Sequence, residues 1–124
     1  MVNKVILVGR LGNDPELRKT TNGSPVTDFS LATQESWSKD GKRETKSEWH
    51  KIVVWGSLAE FVAEKLHKGD RVYVEGRITY NKWEDKDGNK RSTTEIIANK
   101  IEVFWGKKTA PTDTSVNEDD EFPF

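Results

Sequence analysis

The chain has 124 residues, 33% charged and 33% hydrophobic, enough for one domain with a core and a heavily charged surface. It contains no cysteine, which excludes a disulfide framework and any cysteine-ligated metal and suits a reducing compartment. The formal net charge of −1 hides a segregation: residues 1–108 hold all 20 Lys and Arg with 16 of the 21 acids, a net +4, and residues 109–124 hold the other 5 acids and no base, a net −5. A basic body with an acidic end calls for two kinds of partner. No signal-peptide pattern is found, and the first apolar run, Val5 to Val8, is too short to cross a membrane.

Residues 2–11 read as a first strand, with Val5, Leu7 and Leu11 on one side and Lys4, Ile6, Val8 and Arg10 on the other. Gly9 within it predicts a bulge or bend, as in a small barrel. Glu16 to Thr20 is a candidate short strand, followed by a tight turn at Asn22-Gly23. Val26 to Gln34 is the second long strand, with Thr27, Phe29, Leu31 and Thr33 facing inward and Trp37 closing it. A basic loop from Ser38 to Ser47 turns at Asp40-Gly41 and carries Lys39, Lys42, Arg43 and Lys46.

Glu48-Trp49-His50-Lys51-Ile52-Val53-Val54-Trp55-Gly56 is the stretch around which the rest is arranged. With a period of two, Trp49, Lys51, Val53 and Trp55 share one face, and His50, Ile52 and Val54 share the other, which reads as core. Two readings fit the first face. Both indoles fill a core, or they stand exposed with a cation between them, the pattern of a platform for flat bases and their phosphates. The period then changes to 3.6. Ser57-Leu58-Ala59-Glu60 reads as a capping box, Leu58, Phe61, Val62 and Leu66 as one apolar stripe, and Gly69 as the C-terminal cap of a single helix.

Arg71 to Tyr80 returns to strand, with Val72, Val74, Gly76 and Ile78 on one face. Asn81 to Thr93 reads as a long polar hairpin turning at Asp87-Gly88, with Lys82, Lys86, Lys90, Arg91 and an indole, Trp83, that has little core to enter. Thr94 to Trp105 is the last strand, its expected inner face Ile97, Ile101 and Val103, with Trp105 structural. From 107 to 117 the composition reads as a flexible linker, and the chain ends Glu118-Asp119-Asp120-Glu121-Phe122-Pro123-Phe124. The expectation is therefore an all-β chain: a five-stranded OB-fold barrel over 1–106, with one helix between strands 3 and 4, followed by a disordered acidic tail at 118–124. That tail repels phosphate, and its two Phe rings suit docking into an apolar pocket rimmed by basic groups on a partner protein.

The stretches N-K-V-I-L-V-G-R-L-G-N-D-P-E (3–16), L-A-T-Q-E-S-W (31–37), E-W-H-K-I-V-V-W-G (48–56), L-A-E (58–60), K-G-D-R-V-Y-V-E-G (68–76) and K-W (82–83) keep the order and spacing of a known family. The chain resembles the bacterial single-stranded DNA-binding proteins of replication, recombination and repair. The resemblance implies base stacking at Trp37, Trp49, Trp55 and Trp83, where the third position is usually Phe. It also implies a homotetramer with His50 at a subunit interface. Phosphate contacts are expected from Lys42, Arg43, Lys51, Lys68 and Lys82. The acidic end, Asp119, Asp120, Glu121, Phe122, Pro123 and Phe124, resembles the tail that recruits replication and repair enzymes. Here the linker is much shorter than in many relatives, and Phe122 stands where Leu or Ile is common. The implied location is the bacterial cytoplasm, with the nucleoid.

An enzyme would need a different constellation. His50 and His67 are the only histidines, and Glu84, Asp85 and Asp87 surround a turn and alternate with lysines, as a solvated hairpin does. No phosphate loop, nucleophile motif or metal spacing is found, so neither catalysis nor a cofactor is expected. A related OB-fold protein that binds partners more than DNA is the remaining alternative, against which stand the aromatic basic ribbon and the complete tail.

Overall fold

Alternating apolar residues that must bury one face against another produce a closed barrel. The computed structural model describes residues 1–104. The strands are β1 Val5–Leu11, β2 Arg18–Lys19, β3 Pro25–Lys39, β4 Lys42–Trp55, β5 Arg71–Glu84 and β6 Lys90–Val103, with one helix, α1 Ser57–Lys65, between β4 and β5. The sheet order is β1-β5-β6-β4-β3-β2, and an additional β1–β3 pairing closes the five long strands on themselves. The fold expected from the sequence is therefore present, with the two-residue β2 as a short piece along β3. Trp105, Gly106 and the linker and tail expected over 107–124 lie outside the described residues.

Closure depends on β1 serving two neighbours. It pairs with β5 from Val5 to Arg10, then with β3 at Arg10 and Leu11. At the changeover, a Cβ on Gly9 would lie 2.2 Å from the Ala32 carbonyl oxygen, so only glycine permits the approach. Leu31, Ile52, Val54, Val62, Leu66, Val72 and Val74 fill the interior. Thr27, also fully buried, satisfies its hydroxyl by donating to the Glu16 carbonyl at 2.8 Å.

Several local expectations are corrected. Ser57 caps nothing: Gly56 occupies the cap with φ 73° and ψ −148°, a conformation for glycine alone, and its carbonyl accepts from the Ala59 and Glu60 amides. Ser57 is thus already the first helical residue, one position too late for a capping box. Leu66 ends the helix, and Gly69, with φ +92°, instead serves the turn into β5, its amide donating to Leu11. The buried helix face is Ala59, Val62 and Leu66, while Phe61 is exposed. In β6 the inward residues are Ile96 and Ala98 rather than Ile97. A bulge opposite Glu75 and Gly76 leaves Asn99 unpaired and reverses the alternation, so that Ile101 and Val103 again pack on the core. Finally, Ser38–Ser47 is not a loop but mostly strand, a ribbon that turns tightly at Asp40-Gly41, whereas the hairpin expected over Asn81–Thr93 is present as a second ribbon turning around Asp85–Asn89.

Candidate nucleic-acid interface

Residues directly opposite in a ladder project from the same side of the sheet, so register defines the faces. On β4 the face opposite Ile52 and Val54 carries Trp49, Lys51, Val53 and Trp55. Across to β3 they meet Ala32, Ser30, Asp28 and Val26, and across the parallel pairing to β6 Val53 meets Ile97. From Ile97 the β5–β6 register continues the same face through Arg77, Thr79, Asn81 and Trp83, with Glu95, Thr93 and Arg91 opposite the last three. One outer face therefore carries Trp49, Trp55 and Trp83. About 20 Å of strand separates the first two, so they are separate stations rather than the walls of one pocket. Val53 between them is buried, so this face is only partly wet.

Exposure decides between the two readings of the indoles. Trp49 is 62% exposed, Trp55 and Trp83 47% each and Trp37 44%, so none of the four is a core residue. Trp37 pairs with Glu44 and shares its parity with Leu31 and His50, which places it on the side of the ribbon opposite Trp49. Lys42 lies on that side as well, while Arg43 and Lys51 share the side of Trp49. Tyr80, 59% exposed on the side of the β5–β6 ribbon opposite Trp83, is an aromatic the sequence reading did not single out, because it is out of phase with Trp83.

Trp49 also has a seat. A Cβ on Gly12 would lie 2.5 Å from Cζ3 of the Trp49 ring and 2.7 Å from the Ser30 hydroxyl, so the indole lies against bare backbone. Asn13 fixes that backbone by accepting from the Ser30 amide at 2.9 Å and hydroxyl at 3.0 Å. Nothing in the spacing of Gly12 and Trp49 along the chain signals this contact.

The cations differ in availability. Lys51 lies 3.4 Å from a Glu95 carboxylate oxygen and 3.9 Å from Asp28, which also pairs with Arg18 at 3.4 Å. Its charge is thus shared with acids on the same face. Lys42, Arg43, Lys68 and Lys82 have no ion-pair partner among the described residues. Lys68 sits in the turn after α1, its amide held by the Asp14 carboxylate at 2.8 Å. Lys82 lines a shallow depression with Trp83, Glu84, Lys90, Arg91 and Ser92. His50 is half-buried on the core-side face, its Nε2 2.9 Å from the Thr33 hydroxyl. Glu84, Asp85 and Asp87 do not form a metal site: no group of three or more His, Cys, Asp or Glu able to hold one occurs among the described residues. Asp85 is instead surrounded by donors from its own turn and from β6, which hold its carboxyl below the usual range, the Asn89 amide first and Arg91 second.

A closed OB barrel with three indoles on one sheet face and unpaired cations around it is the architecture of an oligonucleotide-binding protein. The chain belongs to the single-strand binding protein family, whose model matches residues 2–104. It is 48% identical over 109 residues to the single-stranded DNA-binding protein 1 of Xylella fastidiosa (strain 9a5c), covering 86% of this chain and 79% of that protein. Among solved structures it is similar to that described as Plasmodium falciparum SSB complex with ssDNA, with a TM-score of 0.77 and 32% identity, covering 84% of this chain and 96% of that one. Proteins of this family bind DNA and are not enzymes. No helix among the described residues is long and apolar enough to cross a membrane.

Proposed function

We propose that the chain coats single-stranded DNA with little sequence preference. Bases stack on Trp49, Trp55 and Trp83, with Trp37 serving the reverse of the β3–β4 ribbon, and phosphates meet Lys42, Arg43, Lys68 and Lys82, with Lys51 as a partly neutralised contributor. The observation that carries this reading is the exposure of three indoles on one continuous face of a family member. Every base has a π-face, so stacking is tolerant of sequence. The protein would thereby protect single strands in replication, recombination and repair, in the bacterial cytoplasm and at the nucleoid, and recruit enzymes through Asp119 to Phe124.

A homotetramer is part of the proposal. The edge of β1 from Val5 to Val8 pairs only with β5 among the described residues, and Ile6 on that strand is 54% exposed. An open edge with an exposed apolar residue favours a second copy as its cover. His50, beside Thr33 on the core-side face, remains the candidate interface residue.

Titration with poly(dT) and with duplex DNA, followed by Trp fluorescence and by sedimentation, tests both parts. Quenching by the single strand alone and a mass of four chains are expected. Each of Trp49, Trp55 and Trp83 changed to Ala should cost roughly 1–3 kcal/mol of binding. A triple variant that binds as the parent does would refute the platform, and a monomer mass at micromolar concentration would refute the assembly.

A further inference from the structure

The tip of the β5–β6 ribbon contains a built arrangement that the proposed site has not yet used. Asp85 is the residue just beyond β5. One of its carboxylate oxygens, Oδ1, accepts from the Asp87 amide at 3.0 Å and the Asn89 amide at 2.9 Å. The other, Oδ2, accepts from Nε of Arg91 at 2.9 Å. The backbone closes the same turn, Asp85 donating to the Asn89 carbonyl and Gly88 to that of Asp85, each at 3.0 Å. A single carboxylate thus ties the turn to one side chain of the returning strand.

That side chain stands directly across the ladder from Trp83. Opposed residues project from one side, and Arg91 and Trp83 line the same depression. Only Nε of Arg91 is engaged, and its terminal nitrogens have no partner among the described residues. An arginine side chain loses much rotamer freedom when held, and a planar fork fixed at one end presents its remaining donors in one direction. Asp87, two residues along, offers a contrast of equal charge: its carboxylate makes no hydrogen bond or ion pair among the described residues.

We propose that Asp85 is a positioning residue for DNA binding, holding Arg91 so that its free guanidinium edge takes the phosphate of a nucleotide whose base is stacked on Trp83. This rests on the stacking role proposed above for Trp83. It also accounts for an acid at the tip of a ribbon meant for a polyanion: the carboxylate of Asp85 is held by three donors, one of them the fork it orients. Those donors favour the charged form and hold the carboxyl below its ordinary range, the Asn89 amide first and Arg91 second.

Charge alone and positioning predict opposite signs, which makes the test decisive. Removing any acid from the ribbon should strengthen attraction for DNA through the field of the whole surface. Asp87→Asn is therefore expected to bind poly(dT) as tightly as the parent or more so. Asp85→Asn keeps an acceptor for the turn amides but turns a donor toward Nε of Arg91. It is expected to weaken binding on the order of threefold to tenfold, the size of coupling seen between contacting side chains. Its log–log salt slope should fall by about 0.7, one phosphate fewer. Arg91→Lys should lose a similar factor in the parent and almost nothing further in the Asp85→Asn background. Amide-region circular dichroism and the urea midpoint verify that each variant is folded. Should Asp85→Asn lower the midpoint, the cycle with Arg91→Lys still reads the coupling, since a merely structural role makes the two losses add. Asp85→Asn binding as tightly as Asp87→Asn, or additive losses, would overturn the proposal. A parent protein with no quenching, or Trp83→Ala without effect, would instead remove the stacking role beneath it.

Discussion

Each aromatic station is defined by what stands beside it. Trp49 rests on Gly12, and Gly12 has no positive φ that would itself demand glycine. Gly12→Ala is therefore compatible with the backbone's own φ, and the nearest atoms to the added methyl belong to two side chains, the Trp49 ring and the Ser30 hydroxyl. The ring must leave its seat, so the variant is expected to fold normally but to lose part of the roughly 1–3 kcal/mol that a stacked base contributes. Fluorescence titration with poly(dT) checks this, and a double variant with Trp49→Ala should show no additional loss. Lys51 presents the opposite case, a cation whose charge is already committed. Glu95, 13% exposed at its side chain, is the nearer of its two acids. Glu95→Gln removes an acid from the face and releases the ammonium toward solvent. Tighter binding and a log–log salt slope steeper by about 0.7 are expected; an unchanged slope would mean that Lys51 does not reach phosphate even when freed. Neither neighbour was legible in the sequence, because Gly12 and Glu95 reach Trp49 and Lys51 only through the pairing of different strands.

At the scale of elements, two long ribbons extend the barrel, and both read as loops or polar hairpins in the sequence. Their residues are polar on both sides, as at Glu44 to Ser47 and Asp87 to Ser92, so no apolar alternation marks them as strand. Cross-strand pairing forms them all the same, continuing ladders that begin in the core. The bulge at Asn99 is equally silent in one strand's sequence, and it is why Ile96 and Ala98 point inward rather than Ile97. A Cβ on Gly76 would lie 2.1 Å from the Ile97 carbonyl oxygen, so the glycine and the bulge are one device. The residue just before β1, Lys4, is joined to β5 by a small charged cluster as well. The Glu75 carboxylate lies 3.0 Å from Lys4 Nζ and accepts from the Tyr73 hydroxyl at 2.9 Å. These contacts, Lys4 first, hold the Glu75 carboxyl below its ordinary 4.5. Hydrogen bonding to Glu75 holds Lys4 above 10.5 and Tyr73 above 10.0. The depressed acid contributes stability above its ordinary value that is lost as pH falls through the folded one. The two raised groups contribute stability below their ordinary values that is lost as pH rises through the folded ones. The urea midpoint of the parent should therefore exceed that of Glu75→Gln across the neutral range, with the gap closing in acid below 4.5 and again in alkali above 10.0. A gap that stays constant from acid through alkali would assign the difference to packing rather than charge.

The whole molecule separates its charges, a net +4 over residues 1–108 and −5 over 109–124, and the separation predicts a division of labour. On the proposed reading, Asp119, Asp120 and Glu121 would repel phosphate, whereas Phe122 and Phe124 would offer rings to an apolar pocket on a partner and Pro123 would lower the entropy lost on docking. Deleting Phe122 to Phe124 should abolish pull-down of replication and repair enzymes and leave affinity for single strands unchanged or slightly raised at low salt. A folded truncation that no longer binds DNA would end this reading. The sequence by itself determined the barrel class, the helix between its third and fourth long strands, the acidic end and the indoles worth testing, since these follow from period, composition and local order along one strand. The period of β4 already set Trp49 and Trp55 on one face, and only the tertiary structure decided what joins them from other strands. Trp83 came onto that face and Trp37 onto the other because register between strands sets which of their side chains meet. The same non-local pairing seated Trp49 on Gly12, tied Lys51 to Glu95, and set Arg91 beside Trp83 across the ribbon, contacts for which no single stretch of sequence carries a signal.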